Sequence, residues 1–314
     1  MAFPVAFIDP RAPWPWLHEV GDATGRQDWG GLVALMDRHA DTLDAFTDLA
    51  EAVAEVKGAE DWLEQVVKDS PGDIRARCLL AERTLALAWE LRSSQRAKYL
   101  TEEQIAGHQR TLRRLEGWLR DWIARDPAQP FLWSARITSG MGLGVGLTEI
   151  RRRYKRLEAL APLYYRGALR HLTALLPKWY GTLEDSLAFA RQRAAAAPEG
   201  SLLRALPVEF YADRWLMDPE AEVVPLLKRR EVRDELVAAA RGSVLSSAHV
   251  AVPRTGTIHS TLALLLCKGD WWADAWPHFA ALGTAPVKAS WGLVNNPTGA
   301  YAQFYDRARE AGER

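Results

Sequence analysis

Between Thr261 and Pro286 the chain reads TLALLLCKGDWWADAWPHFAALGTAP, two short apolar helical patterns on either side of Gly269 and Asp270. Leu262, Leu265 and Leu266 fall on one face of the first helix, and Ala275, Phe279 and Leu282 follow at i, i+4 and i+7 on one face of the second. A helix pair of this size cannot bury both apolar faces alone, so it requires neighbours like itself. The pattern predicts a stacked helical repeat and names no reaction.

The same punctuation recurs upstream. Helical patterns stop at Asp69-Ser70-Pro71, Arg125-Asp126-Pro127, Ala159-Leu160-Ala161-Pro162, Leu175-Leu176-Pro177 and Ala196-Ala197-Pro198. Each proline disfavours helix at the residue before it and starts the next segment with a preset φ. The spacings are uneven, so the array is degenerate and reads as one superhelical domain over 17–314. Residues 1–16 carry four prolines and two tryptophans and read as an extended, non-helical arm that lays Phe3, Phe7 and Trp14 on the body or tethers a partner.

Three helices are predicted between Asp28 and Lys68, broken at Asp41 and Gly58, then one long helix from Asp73 to Arg96. Thr101 to Gln104 forms a capping box that opens a helix running to Arg125. Thr182 to Asp185 and Asp218-Pro219 open two more. Thr255-Gly256 and the stretch from Gly292 to Gly299 read as loops. No alternating β-branched run is long enough for a sheet, so the expected fold is all-α. Ser139 to Gly146 has glycine at every second position, but Phe131 to Ile137 before it reads as helix and G-x-G-x-x-G spacing is lacking. A flexible link or a close helix crossing is expected there, and 140–147 is where a subdivision of the domain would fall.

The 40 basic and 40 acidic residues cancel, which leaves no global field for nucleic acid or anionic lipid. The one strong basic run, Arg151 to Arg156, fans around a helix and reads as a solvated face. Cys78 and Cys267 lie in leucine-rich patterns and read as buried thiols in a reducing compartment. No signal-peptide pattern opens the chain, and no apolar run approaches the roughly 18 residues needed to cross a bilayer, so a cytoplasmic protein with no membrane contact is expected. The fourteen tryptophans mostly complete apolar stripes, as Trp118 and Trp122 continue Leu115 and Leu119, and are expected to wedge between stacked helices.

Catalytic and metal signatures are not found. There is no H-E-x-x-H, no Walker lysine and no G-x-S-x-G, and the seven histidines are scattered singly. No metal and no cofactor is expected, and catalysis is left open. The segment that stands out runs from Pro162 to Trp215. A helix over 163–176 carries Arg170 and His171 into the turn Pro177-Lys178-Trp179-Tyr180-Gly181-Thr182, and Tyr211, Arg214 and Trp215 follow at helical spacing. Arginine, tyrosine and tryptophan gathered at a turn combine contact area with hydrogen bonding, as an anchor for a partner does. These eight residues, Arg170, His171, Lys178, Trp179, Tyr180, Tyr211, Arg214 and Trp215, form the candidate binding site, against the alternative of a clamp between repeats.

Two likenesses accompany these patterns. The pair of helices ending at Pro286, with small Ala263 and Ala275 and large Phe279, resembles a tetratricopeptide-type repeat, although the Trp-Leu-Gly triplet usual in its first helix is absent. The stretch Leu175 to Thr182, followed by Phe189-Ala190-Arg191 and Ala197-Pro198, resembles a bacterial family of unknown function whose members carry Leu-Pro-x-Trp-Gly-Gly-Ser. Here Tyr180 stands for the first glycine and Thr182 for the serine. The likeness extends over about residues 70–290. It implies an irregular tetratricopeptide-like superhelix with no assigned activity. The expected function is a non-catalytic repeat protein that recognises a protein or peptide partner in a concave groove. The alternative is an enzyme, or a helper of one, that holds a small ligand around Arg170, His171, Lys178 and Tyr211.

Overall fold

The computed structural model describes residues 5–93, 99–179, 181–218 and 220–314. Among these the chain is helical, with sixteen α-helices, short 3₁₀ turns and one isolated parallel bridge between Ile8 and Val287. It forms two compact units, one of Trp14–Leu183 and one of Met1–Pro13 with Glu184–Arg314. The division thus follows residue 183, not 140–147. The reason is local: α7 (Pro130–Leu143) runs straight through Gly140 and Gly142 and ends only at Gly144, at φ 73°. A Cβ on Gly142 would stand 2.4 Å from Leu112 Cδ1, and one on Gly140 would stand 3.1 Å from Ile150 Cδ1. The glycines therefore let α6 (Glu102–Arg125) and α8 (Leu147–Leu160) cross α7 closely.

In the unit Trp14–Leu183, α1 (Pro15–Gly25), α3 (Leu43–Ala54), α5 (Ile74–Arg92), α7 and α9 (Tyr165–Leu175) touch in succession. The helices between them, α2 (Trp29–His39), α4 (Ala59–Asp69), α6 and α8, pack on their odd-numbered neighbours. α9 returns to α3, so that α3, α5, α7 and α9 close on one another. That return is tied by polar groups. The carboxylate of Asp44 on α3 accepts the N–H groups of Tyr165 and Arg166 at 3.2 and 2.9 Å, capping α9, and Thr47 shares a 2.6 Å hydrogen bond with the Tyr164 hydroxyl. Burial raises the Asp44 pKa, although the two N–H groups favour its charge. The helices expected to open at Asp28 and Asp73 are capped by those side chains, Thr42 caps α3 just after the break expected at Asp41, and Thr101 and Gln104 complete the expected capping box. The end of the long helix expected at Arg96 lies outside the described residues, α5 being described to Arg92.

In the other unit α10 (Leu183–Ala196), α11 (Leu206–Met217), α12 (Glu220–Leu227) and α13 (Arg230–Gly242) precede the central α14 (Pro253–Lys268). α14 is buried from Ile258 to Cys267 and touches α11, α12, α13 and α15 (Trp272–Leu282), on which α16 (Pro297–Gly312) packs. The expected loops at Thr255-Gly256 and 292–299 are partly helix. Pro253 and Pro297 occupy first-turn positions where a missing N–H costs nothing, and Asn296 caps Gly299. Among the described residues the opening arm is extended only as far as Asp9: 10–13 make a turn in which the Ala12 N–H donates to the Asp9 carbonyl at 2.9 Å, Pro15 starts α1 and Trp16 lies within it. Ala6 and Ile8 donate to the carbonyls of Thr284 and Pro286 at 3.0 and 2.9 Å, and Phe7 meets Trp291 and Tyr301 in an aromatic core with Phe279. Phe3 and Pro219 lie outside the described residues.

Both thiols are free and buried, and burial pushes each pKa up. The basic run is less uniform than expected. Arg151, Arg152, Lys155 and Arg156 are exposed, but Arg153 is buried and donates to Glu116 and Glu149.

Candidate functional site

The unit Trp14–Leu183 holds a cavity of about 640 Å³ where the last turns of α3 and α5 come near the second half of α7. Glu51 and Glu55 of α3, Glu82, Trp89 and Glu90 of α5, Lys57 and Thr138 line it. Helix C-termini carry partial negative charge, so two of them and four carboxylates face one space with Lys57 the single lysine among the described lining residues. Ser93, also on the wall, holds φ 69° and ψ 160°, a conformation costly for a residue with a Cβ.

Three arginines organise this lining. Arg83, only 1% exposed, donates to Glu60 at 2.8 Å, to both oxygens of Glu90 at 2.7 and 3.1 Å, and to the Ala54 carbonyl at the end of α3. Its charge holds the Glu90 pKa low. Arg166 pairs with Glu51. Arg170 of α9 reaches Glu82 through a 2.5 Å contact from Nη2 to Oε1. Its guanidinium also lies 5.9 Å from the Phe131 ring centroid, with Ser134 Oγ at 3.4 Å from Nη1. Desolvation opposes the Arg170 charge, and the facing Glu82 carboxylate outweighs that and raises its pKa.

One acceptor is left over. Glu82 is 8% exposed, its Oε2 is buried, and that oxygen has no hydrogen-bond partner among the described residues. Thr138 Oγ1, on the same cavity, is in the same state. A buried carboxylate oxygen without a donor is expensive, because it has given up water and received nothing in return.

The eight residues expected to share a site divide between the two units. Arg170 stands behind the cavity through Glu82, and Trp179 packs edge-on against the cavity residue Trp89 at 5.6 Å between centroids. Lys178 is exposed on the turn after α9. His171 is buried and stacks on Tyr154 at 4.1 Å, nearly parallel, and burial lowers its pKa to about 3, so it is a neutral packing group. Tyr180 lies outside the described residues. Tyr211, Arg214 and Trp215 belong to the unit with Glu184–Arg314. There the Tyr211 hydroxyl donates to Glu235 at 2.8 Å beside a bidentate Arg191, Arg214 pairs with Asp218, and the Trp215 indole N–H donates to the Ser290 carbonyl at 3.1 Å. Their polar atoms are spent on structural bonds.

Glu82 is not among the residues singled out from the sequence. The available signal was the pair Glu82-Arg83 inside LLAERTLALA, two charges in a run apolar enough to be buried on all sides. Among the described residues no group of three or more His, Cys, Asp and Glu side chains is arranged to hold a metal ion, and no helix is long and apolar enough to cross a membrane. No family model, curated protein or solved structure matches the chain.

Proposed function

We propose that this chain is a non-catalytic helical-repeat protein of irregular tetratricopeptide-like architecture, and that the cavity between α3, α5 and α7 is where it recognises a protein or peptide partner. The repeat reading is supported by the succession of odd-numbered helices in mutual contact, each flanked by an even-numbered one. The observation that carries the binding reading is the cavity itself, lined by Trp89, Thr138 and the carboxylates of Glu51, Glu55, Glu82 and Glu90. A concave space with an aromatic side chain and several polar groups on its lining is the usual form of a recognition site. Arg170 then serves as the positioning residue of Glu82. A cavity of this size would also take a small polar molecule, and the lining titratable groups keep that second reading in play.

The test is site-specific photo-crosslinking in native host extract. A photoreactive residue replaces exposed Lys57 at the cavity, and a second chain carries it at exposed Arg120 on α6 as control. A polypeptide adduct formed at 57 and not at 120 is the expected result. Equal yields at both positions would place recognition elsewhere, and only low-mass adducts at 57 would favour the small-ligand reading.

A further inference from the structure

Charge is balanced over the chain but not along α8, which carries Arg151, Arg152, Arg153, Lys155 and Arg156 against Glu149 and Glu158. Its inner residues Ile150, Arg153, Tyr154 and Leu157 are buried, and α7 and α9 pack on the helix. Arg152, Lys155 and Arg156 fall at i, i+3 and i+4 on the opposite face and are exposed. The uses a cation ordinarily has within its own fold do not account for that face. No basic residue lies in the last turn of α8, where the helix dipole would favour one. Glu149 takes Arg152 at 2.6 Å and Arg153 at 2.8 Å, while Lys155 and Arg156 form no ion pair or hydrogen bond among the described residues. Arg151 with Lys155, and Arg152 with Arg156, are like-charge pairs at i, i+4, which weaken a helix. Two leucines stand at the C-terminal end of the same helix. Leu160, four residues on from Arg156, is 41% exposed. Leu163, 55% exposed, sits in the turn where the Tyr164 N–H donates to the Ala161 carbonyl at 3.2 Å.

We infer that the outer face of α8 is a docking surface for an acidic segment of a partner polypeptide, with its carboxylates on Arg152, Lys155 and Arg156 and its apolar side chains on Leu160 and Leu163. Charge complementarity selects the carboxylates, and the guanidinium fork suits them in particular. The leucines select a polypeptide over a nucleic acid. A phosphate backbone would use the cations and leave both leucines in water, and the balanced charge of the chain adds no wider field to hold it. No residue of α8 is among those that line the cavity between α3, α5 and α7, so this inference stands or falls without that cavity.

Fluorescence anisotropy of a labelled peptide of three Glu-Leu-Glu-Glu repeats, titrated with the full chain, tests it. Parallel titrations use a peptide with Gln in place of every Glu and one with Ser in place of every Leu. The acidic leucine peptide should bind about tenfold more tightly than the glutamine peptide and severalfold more tightly than the serine peptide, and added salt should remove the first difference. Lys155→Glu with Arg156→Glu relieves both like-charge pairs, and should weaken the acidic leucine peptide about tenfold with an unchanged helical circular-dichroism signal. Lys68→Glu, at an exposed cation on α4, should leave binding as it was. Leu160→Ser with Leu163→Ser should weaken the acidic leucine peptide severalfold and the serine peptide not at all. That pair keeps the inference open to refutation even if the charge reversal does not fold. Undiminished binding by either paired variant, or equal affinity for the acidic and glutamine peptides, overturns the inference. An equal loss on Lys68→Glu also overturns it, because a diffuse field and not this face would then be at work. Tighter binding of a single-stranded oligothymidylate or of phosphatidylserine vesicles than of the peptide, lost with Lys155 and Arg156, overturns the polypeptide in favour of a phosphate-bearing partner. None of these variants should alter the crosslinking at position 57, which reads the cavity alone.

Discussion

Removing Arg170 should do more than empty a surface. Its side chain is 15% exposed, that of Glu82 is 10% exposed, and their contact spans helices that are 88 residues apart in the chain. Arg170→Ala strands the Glu82 carboxylate, and breaking one side of a buried ion pair costs about 3–5 kcal/mol. The cavity gives Glu82 some access to water, so the lower end, about 3 kcal/mol, is the expected value. For a unit of this size that corresponds to a fall in melting temperature of about 6–12 °C. Truncating Lys178, exposed on the turn after α9, should by contrast change stability by less than about 0.5 kcal/mol.

A double-mutant cycle separates the pair from its surroundings. Arg170→Ala, Glu82→Ala and the double variant, unfolded in urea and followed by far-ultraviolet circular dichroism, should give a coupling energy of about 2 kcal/mol. Additive losses, or Arg170→Ala within 0.5 kcal/mol of the parent, would refute the clamp. The apolar pair Arg170→Met with Glu82→Leu carries the argument further. Replacing a buried ion pair by residues of similar volume is often neutral. That variant should keep its stability and lose partner binding, which would show that the pair is kept for recognition.

Further expectations follow from particular sites. His259 and His278 are buried with their Nδ1 atoms 2.9 Å apart, and burial brings His259 down to about 4 and His278 well below the ordinary imidazole value. With the folded pKa below the unfolded 6.5, their contribution is present above pH 6.5 and lost as pH falls toward 4, by up to about 1.4 kcal/mol per pH unit for each ring. Denaturation midpoints that stay level from pH 7 to 5 would contradict this. Gly181→Ala should destabilise by about 2–4 kcal/mol, because a Cβ there would stand 1.9 Å from the Leu175 carbonyl oxygen, and an unchanged melting curve would refute it. Cys78 and Cys267 should resist a thiol reagent in the native protein and react after denaturation, and rapid native labelling of both would overturn their placement in the core.

Helix ends were the most legible part of the chain, since caps and prolines act within a few residues. α4, α6, α8, α9 and α10 stop at Asp69, Arg125, Leu160, Leu175 and Ala196, each just short of the proline that predicts it. Glycine read as loop was less safe after a proline, since Pro253 and Pro297 begin helices that take in Thr255-Gly256 and Gly299. The candidate site was legible only in part. Arg170 could be picked out as a cation on an apolar helix, but its partner Glu82 lies 88 residues away, and no local pattern encodes that distance. Tyr211, Arg214 and Trp215 looked like companions because they are near in sequence, and the chain's division after residue 183 puts them in a separate core.

Buried charge in the unit Trp14–Leu183 has a physical use that apolar packing cannot supply. Leucine and alanine contacts between α3, α5, α7 and α9 are nondirectional, so a one-turn slip of one helix past another would keep much of the buried area. Three of the connections between these helices instead carry bonds of fixed length: Arg83 to the Ala54 carbonyl between α5 and α3, Arg170 to Glu82 between α9 and α5, and Asp44 to the N–H groups of Tyr165 and Arg166 between α3 and α9. A slip of α3, α5 or α9 by one turn, about 5.4 Å, would break two of the three. The same bonds that hold the register also set where Glu82 stands on the cavity lining. If that register is what the ion pairs provide, the apolar variant Arg170→Met with Glu82→Leu, stable as it should be, will show faster amide exchange in α9 than the parent protein. Identical protection in α9 would mean that packing alone sets the register.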